Sequence, residues 1–87
     1  MVIWKYQLSI TDSQFVEMPR GAQLLSVQVQ HGVPCLWVRV NPDASHELVE
    51  IVTCGTGHAT AHTNLQHIGT YQLDGGSFVG HVFSPII

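Results

Sequence analysis

The sequence predicts an all-β domain, a small antiparallel sandwich or barrel of about seven strands. Three observations predict it. Segments that alternate apolar and polar residues, rich in Val, Ile, Tyr, Trp and Phe, recur along the chain and are cut by Gly, Pro, Asn and Asp. No window of useful length carries the helical period of 3.6 residues. Two hairpins can be read directly, Gln23–Val40 around His31-Gly32 and Ile68–Phe83 around Asp74-Gly75-Gly76.

Val2–Ile10 alternates as a strand, with Val2, Trp4, Tyr6 and Leu8 on one side and Ile3, Lys5 and Gln7 on the other. Thr11-Asp12-Ser13 is a turn. Phe15–Met18 is a short strand stopped by Pro19, and Pro19-Arg20-Gly21 is a second turn. Gln23–Gln30 and Pro34–Val40 form the strongest pair. A two-residue type I′ loop needs positive φ at both positions, which Gly supplies freely and His tolerates better than most residues. That register sets Gln30 opposite Val33, Gln28 opposite Cys35, Ser26 opposite Trp37 and Leu24 opposite Arg39. Leu25, Val27, Val29, Leu36, Val38 and Val40 then form a uniformly apolar core face. The other face is mixed, with Ser26, Gln28, Cys35, Trp37 and Arg39. Asn41–Glu47 is a polar loop and Leu48–Cys54 a further strand. Ala59–Leu65 reads as a strand end or a loop. In the last hairpin, Ile68–Leu73 and Ser77–Phe83, a loop at Gly75-Gly76 puts Tyr71, Leu73, Phe78 and Val82 on one face.

The chain has 87 residues, 45% apolar and only 10% charged. Charged residues usually make up about 25% of a soluble chain. So little charge solvates little surface, and a domain this small is marginal alone. The expectation is a homo-oligomer that buries apolar surface between copies. Net charge is −3, and Lys5, Arg20 and Arg39 are the only fixed cations. Three scattered cations do not read a nucleic acid polymer. They are compatible with a ligand of one or two phosphates, to which each copy of an oligomer adds an Arg. Met1–Ile10 lacks the charged and continuously apolar regions of an export signal, and no run of about 20 apolar residues suggests a membrane span. With no export signal, Cys35 and Cys54 read as reduced, buried small hydrophobes.

Candidate chemistry is sparse. His58 and His62 stand four apart near His67. On a strand that spacing separates them by about 13 Å, too far for one ion, so no metal or other cofactor is expected. Gly55-Thr56-Gly57-His58 follows an apolar strand. Its glycines either let backbone N–H groups approach an anion or serve a turn. It lacks the elements of a dinucleotide fingerprint or a P-loop. Trp37 and Arg39, on the mixed hairpin face, suit either stacking and phosphate pairing or a subunit interface. No catalytic constellation is recognisable, and no enzyme is expected.

Certain strings resemble a known group of proteins. Trp4-Lys5-Tyr6, Glu17-Met18-Pro19-Arg20-Gly21-Ala22, Leu25-Ser26-Val27-Gln28-Val29-Gln30, Pro34-Cys35-Leu36-Trp37, Gly55-Thr56-Gly57-His58, Ile68-Gly69-Thr70, Gln72-Leu73-Asp74-Gly75-Gly76 and His81-Val82-Phe83 look like a family of small phage and prophage proteins of largely unknown function. The likeness covers nearly the whole chain. Relatives carry an aromatic before Gly-Thr-Gly-His, where this chain has Cys54. Small oligomeric β proteins of phages include sponges that sequester nucleotide immune signals of the host. The resemblance therefore implies a non-enzymatic sponge in the host cytoplasm for a cyclic oligonucleotide or an ADP-ribose derivative. In that reading Trp37 stacks, and Arg39 and Arg20 supply phosphate charge. Gln28, Thr56, Gly57 and His58 complete the ligand contacts. A protein-binding inhibitor or a phage assembly protein is the alternative, and a small hydrolase the third.

Overall fold

The computed structural model describes residues 1–86. Ile87, which closes the single domain read over 1–87, lies outside them. Seven antiparallel strands form the sandwich that the alternation predicts: β1 (Val2–Gln7), β2 (Ser13–Pro19), β3 (Gln23–Gln30), β4 (Val33–Val40), β5 (His46–Gly55), β6 (Leu65–Leu73) and β7 (Phe78–Pro85). One sheet has the order β1-β4-β3 and the other β2-β5-β7-β6. No helix among the described residues is long and apolar enough to cross a membrane.

The strands change sheet at polar corners, where side chains and turns satisfy the freed backbone groups. Between β1 and β2, Ser9 N–H donates to Gln14 Oε1 at 3.0 Å and Gln14 Nε2 donates to Ser9 O at 2.9 Å. β1 ends at Gln7, not Ile10; Leu8 N–H still donates to Pro34 O at 2.9 Å, and its side chain is buried in the core. Between β2 and β3, Arg20 N–H donates to Ser45 O at 2.8 Å.

The hairpin β3–β4 has φ of 53° at His31 and 77° at Gly32, the positive pair that a type I′ turn requires. Its register follows expectation from Gln30↔Val33 to Ser26↔Trp37. Beyond Ser26 a bulge intervenes, and two expectations fail. Gln23, not Leu24, pairs with Arg39, and Leu24 pairs with Val38. The extra residue flips the faces, so Leu24 packs on the core and Leu25 is exposed. Val29 is exposed too, at the hairpin tip. The apolar face is therefore not uniformly core; Val27, Leu36, Val38 and Val40 are its buried part.

The last hairpin keeps the expected register, Leu73↔Phe78 to Gly69↔Val82, before a bulge between His67 and Gly69. Tyr71, Leu73, Phe78 and Val82 all join the core as read. The two sheets meet where β3 lies against β6. A Cβ at Gly69 would lie 3.0 Å from Val27 N and 3.2 Å from Val27 Cβ. A side chain there would force Val27 to give way by a few tenths of an ångström.

β5 serves two partners in turn. Its first part pairs with β2, from Pro19↔His46 to Ser13↔Val52, and its last residues pair with β7, from Val52↔Phe83 to Gly55↔Gly80. Past Phe83 the β5–β7 ladder stops, and the Ser84 hydroxyl donates to Glu50 O at 3.2 Å instead.

Two tyrosines tie stability to alkaline pH. Burial raises the Tyr71 phenol above its ordinary value; burial, then the Glu17 carboxylate, raises Tyr6. A raised folded pKa means the neutral form is favoured by folding. The stabilisation is complete below the unfolded value of about 10 and is lost as pH rises through the folded value. Urea midpoints are therefore expected to fall as pH rises above about 10. A Tyr6→Phe/Tyr71→Phe double variant should show a shallower fall. An equal fall in the variant would show that other groups control the loss.

Candidate functional site

Alternation along β4 sets Cys35, Trp37 and Arg39 on the outer side of the three-stranded sheet, where Cys35 is nonetheless covered. β1 flanks them on one side, with Gln7 opposite Cys35, Lys5 opposite Trp37 and Ile3 opposite Arg39. β3 flanks them on the other, with Gln28, Ser26 and Gln23 in the same rows. Trp37 is half-buried, while Arg39, Lys5 and Gln28 are exposed. Lys5 Nζ donates to Gln30 Oε1 at 2.7 Å. Ile3, Trp4, Lys5, Gln30 and Trp37 line a shallow pocket of about 270 Å³. The chemistry is a flat indole surface beside an ammonium, with a guanidinium two residues along. Aromatic faces stack on planar rings and guanidinium pairs phosphate oxygens bidentately.

Sequence reasoning placed Trp37, Arg39 and Gln28 on one face but did not bring Lys5 and Gln30 to it. Lys5 was legible as one side of an alternating strand. Its place beside Trp37 depends on β1 pairing with β4, which no local pattern announces.

Gly55-Thr56-Gly57-His58 forms a tight turn in which His58 N–H donates to Gly55 O at 3.0 Å. Gly57, third in the turn, has φ of 82°, as a type II turn requires. Thr56 N–H donates to Val79 O at 3.3 Å. Of the Thr56, Gly57 and His58 N–H groups, only that of Gly57 is then without a backbone acceptor among the described residues. A Cβ at Gly55 would lie 2.7 Å from His58 Nδ1, so the imidazole packs over the glycine. Arg20 sits in the β2–β3 turn, its guanidinium 3.5 Å from the Glu47 carboxylate. The expected ligand residues thus divide. Trp37, Arg39 and Gln28 share the outer face of one sheet. Thr56, Gly57 and His58 lie at the end of β5 in the other, and Arg20 lies at a corner between sheets.

The outer face of the four-stranded sheet carries a polar row that sequence reasoning did not assemble. Thr56 Oγ1 is 2.7 Å from His81 Nε2, and His81 Nδ1 is 3.1 Å from Thr70 Oγ1. Thr70 Oγ1 is in turn 3.0 Å from His67 Nε2. The His67 ring meets Phe83 edge-on at 5.3 Å. Cys54 is opposite His81 on the neighbouring strand. Nearby, Glu50 takes a hydrogen bond from Ser13 Oγ at 2.8 Å and lies 3.4 Å from His62 Nε2. Among the described residues, no group of three or more His, Cys, Asp or Glu is arranged to hold a metal ion. Both cysteines are free; Cys35 is buried as expected, whereas Cys54 is only half-buried.

Fold and surface define a small antiparallel β-sandwich protein with a tryptophan–cation face on its smaller sheet. The chain belongs to the family described as Domain of unknown function (DUF7352), whose model matches residues 1–86. No curated protein and no solved structure matches it.

Proposed function

We propose that this protein is a non-enzymatic, homo-oligomeric sponge of phage origin that sequesters a nucleotide immune signal in the host cytoplasm. The outer face of the three-stranded sheet carries the reading. Of only three fixed cations in the chain, two, Lys5 and Arg39, flank Trp37 there. A stacking surface beside two cations fits a base with its phosphate. The exposed apolar residues suit burial between copies: Ile3, on the same face as Trp37, is 63% exposed. A ligand held there would lie near a subunit boundary.

A second reading is a protein-binding inhibitor. Phe15 and Leu48 are each 65% exposed, and they sit diagonally across the β2–β5 ladder. Such a pair suits a protein partner.

Incubation of the full chain with cyclic di-AMP, cyclic di-GMP, cyclic tri-AMP or ADP-ribose, followed by desalting and heat denaturation, separates these readings. Release of intact nucleotide only on heating is the expected result. Altered nucleotide identifies an enzyme. Retention of none of the four overturns the sponge and favours the protein-binding reading.

A further inference from the structure

The sandwich has a crevice of about 400 Å³ between its sheets, at the end where β2 turns into β3. Gln23, Leu24, Val49, Gln66, Ile68 and Ser84 are among its lining residues, and no charged residue lines it. It is the place where three ladders break. The bulge in β3 falls at Leu24–Ser26, and the bulge in β6 falls at His67–Gly69. The β5–β7 ladder ends beside it, where the Ser84 hydroxyl takes over at Glu50 O. Bulges re-aim side chains, and here each sets an apolar residue, Leu24 or Ile68, on the wall. Meanwhile Val27 and Gly69 pinch the sheets together farther along.

We infer that this crevice binds a flat, uncharged heterocycle with amide-like edges, the size of a nucleobase. Leu24, Val49 and Ile68 supply apolar walls. Gln66, exposed and paired with the buried Ser84, lines the crevice, so its carboxamide offers a donor and an acceptor to a ring edge. Such amides pair bidentately with base edges. The Ser84 hydrogen is committed to Glu50 O, so its oxygen faces a ligand as an acceptor. The absence of charge on the wall selects the neutral part of a ligand. The identification of the ring as a base rests on the nucleotide reading above; the crevice does not.

The test is chemical-shift mapping of the full chain with adenosine, guanosine, cytidine or uridine, and separately with inorganic phosphate. At least one nucleoside should shift the methyls of Leu24, Val49 and Ile68 and the side-chain amide of Gln66. Phosphate should leave those methyls unmoved. Gln66→Leu, at an exposed position, should weaken the nucleoside by roughly tenfold and leave the fold unchanged. No shift with any nucleoside overturns the inference. So does a shift that depends on protein concentration alone, which would mean a second copy fills the crevice. Nucleoside binding without retention of any nucleotide would uphold the crevice and sink the sponge. Nucleotide retention without a crevice shift would do the reverse.

Discussion

Leu36→Ala is expected to destabilise the protein by about 2–5 kcal/mol. Leu36 is fully buried in the central strand of the three-stranded sheet, opposite Tyr6 on one side and Val27 on the other. No neighbouring strand can close in without breaking a ladder, so the cavity persists. A domain of this size loses about 4–8 °C in Tm per kcal/mol, and its whole stability is about 5–15 kcal/mol. The variant should therefore melt far below the parent, or fail to fold. Val29→Ala is the control. Simple alternation puts Val29 on the same face, yet it is exposed at the hairpin tip. It should change stability by no more than about 0.5 kcal/mol. Equal losses in the two variants, measured by urea denaturation, would contradict the division of that face.

Trp37→Ala is expected to weaken binding of whichever nucleotide the heat-release assay identifies by roughly 5–150-fold, the loss of one stacked base at about 1–3 kcal/mol. The half-buried indole is not part of the core cluster, so circular dichroism should be unchanged. Lys5→Gln should cost less, and its effect should fade as salt rises, because an exposed cation is screened. Isothermal titration at two salt concentrations measures both. A Trp37→Ala variant that binds within about twofold of the parent would remove this face from the site.

Local pattern made the fold legible because strand alternation and turn chemistry are written within a few residues. His31-Gly32 and the Gly75-Gly76 loop each set a register that the structure keeps for several pairs. The register failures share one cause. A bulge adds a residue without any compositional mark, so the exchange of Leu24 and Leu25 and the extra residue at Ile68 were invisible. Contacts between distant strands were equally hidden. Nothing around Lys5 announces Trp37, and nothing around His67 announces His81. The crevice depends on both kinds of information, and its walls come from four separate strands.

The Thr56–His81–Thr70–His67 row carries a constraint beyond its distances. Thr70 has one hydroxyl hydrogen and stands between two imidazole nitrogens. A neutral His81 likewise has one hydrogen for two hydroxyl neighbours. If His81 donates from Nδ1, Thr70 must donate to His67, and a spare N–H is left on His67. If His81 donates from Nε2, every bond reverses, and the spare donor is the Thr56 hydroxyl. With both rings neutral, the row has polarity: it shows a donor at one end and an acceptor at the other. A molecule that accepts a hydrogen bond at either end fixes the orientation at the opposite end, without moving a strand.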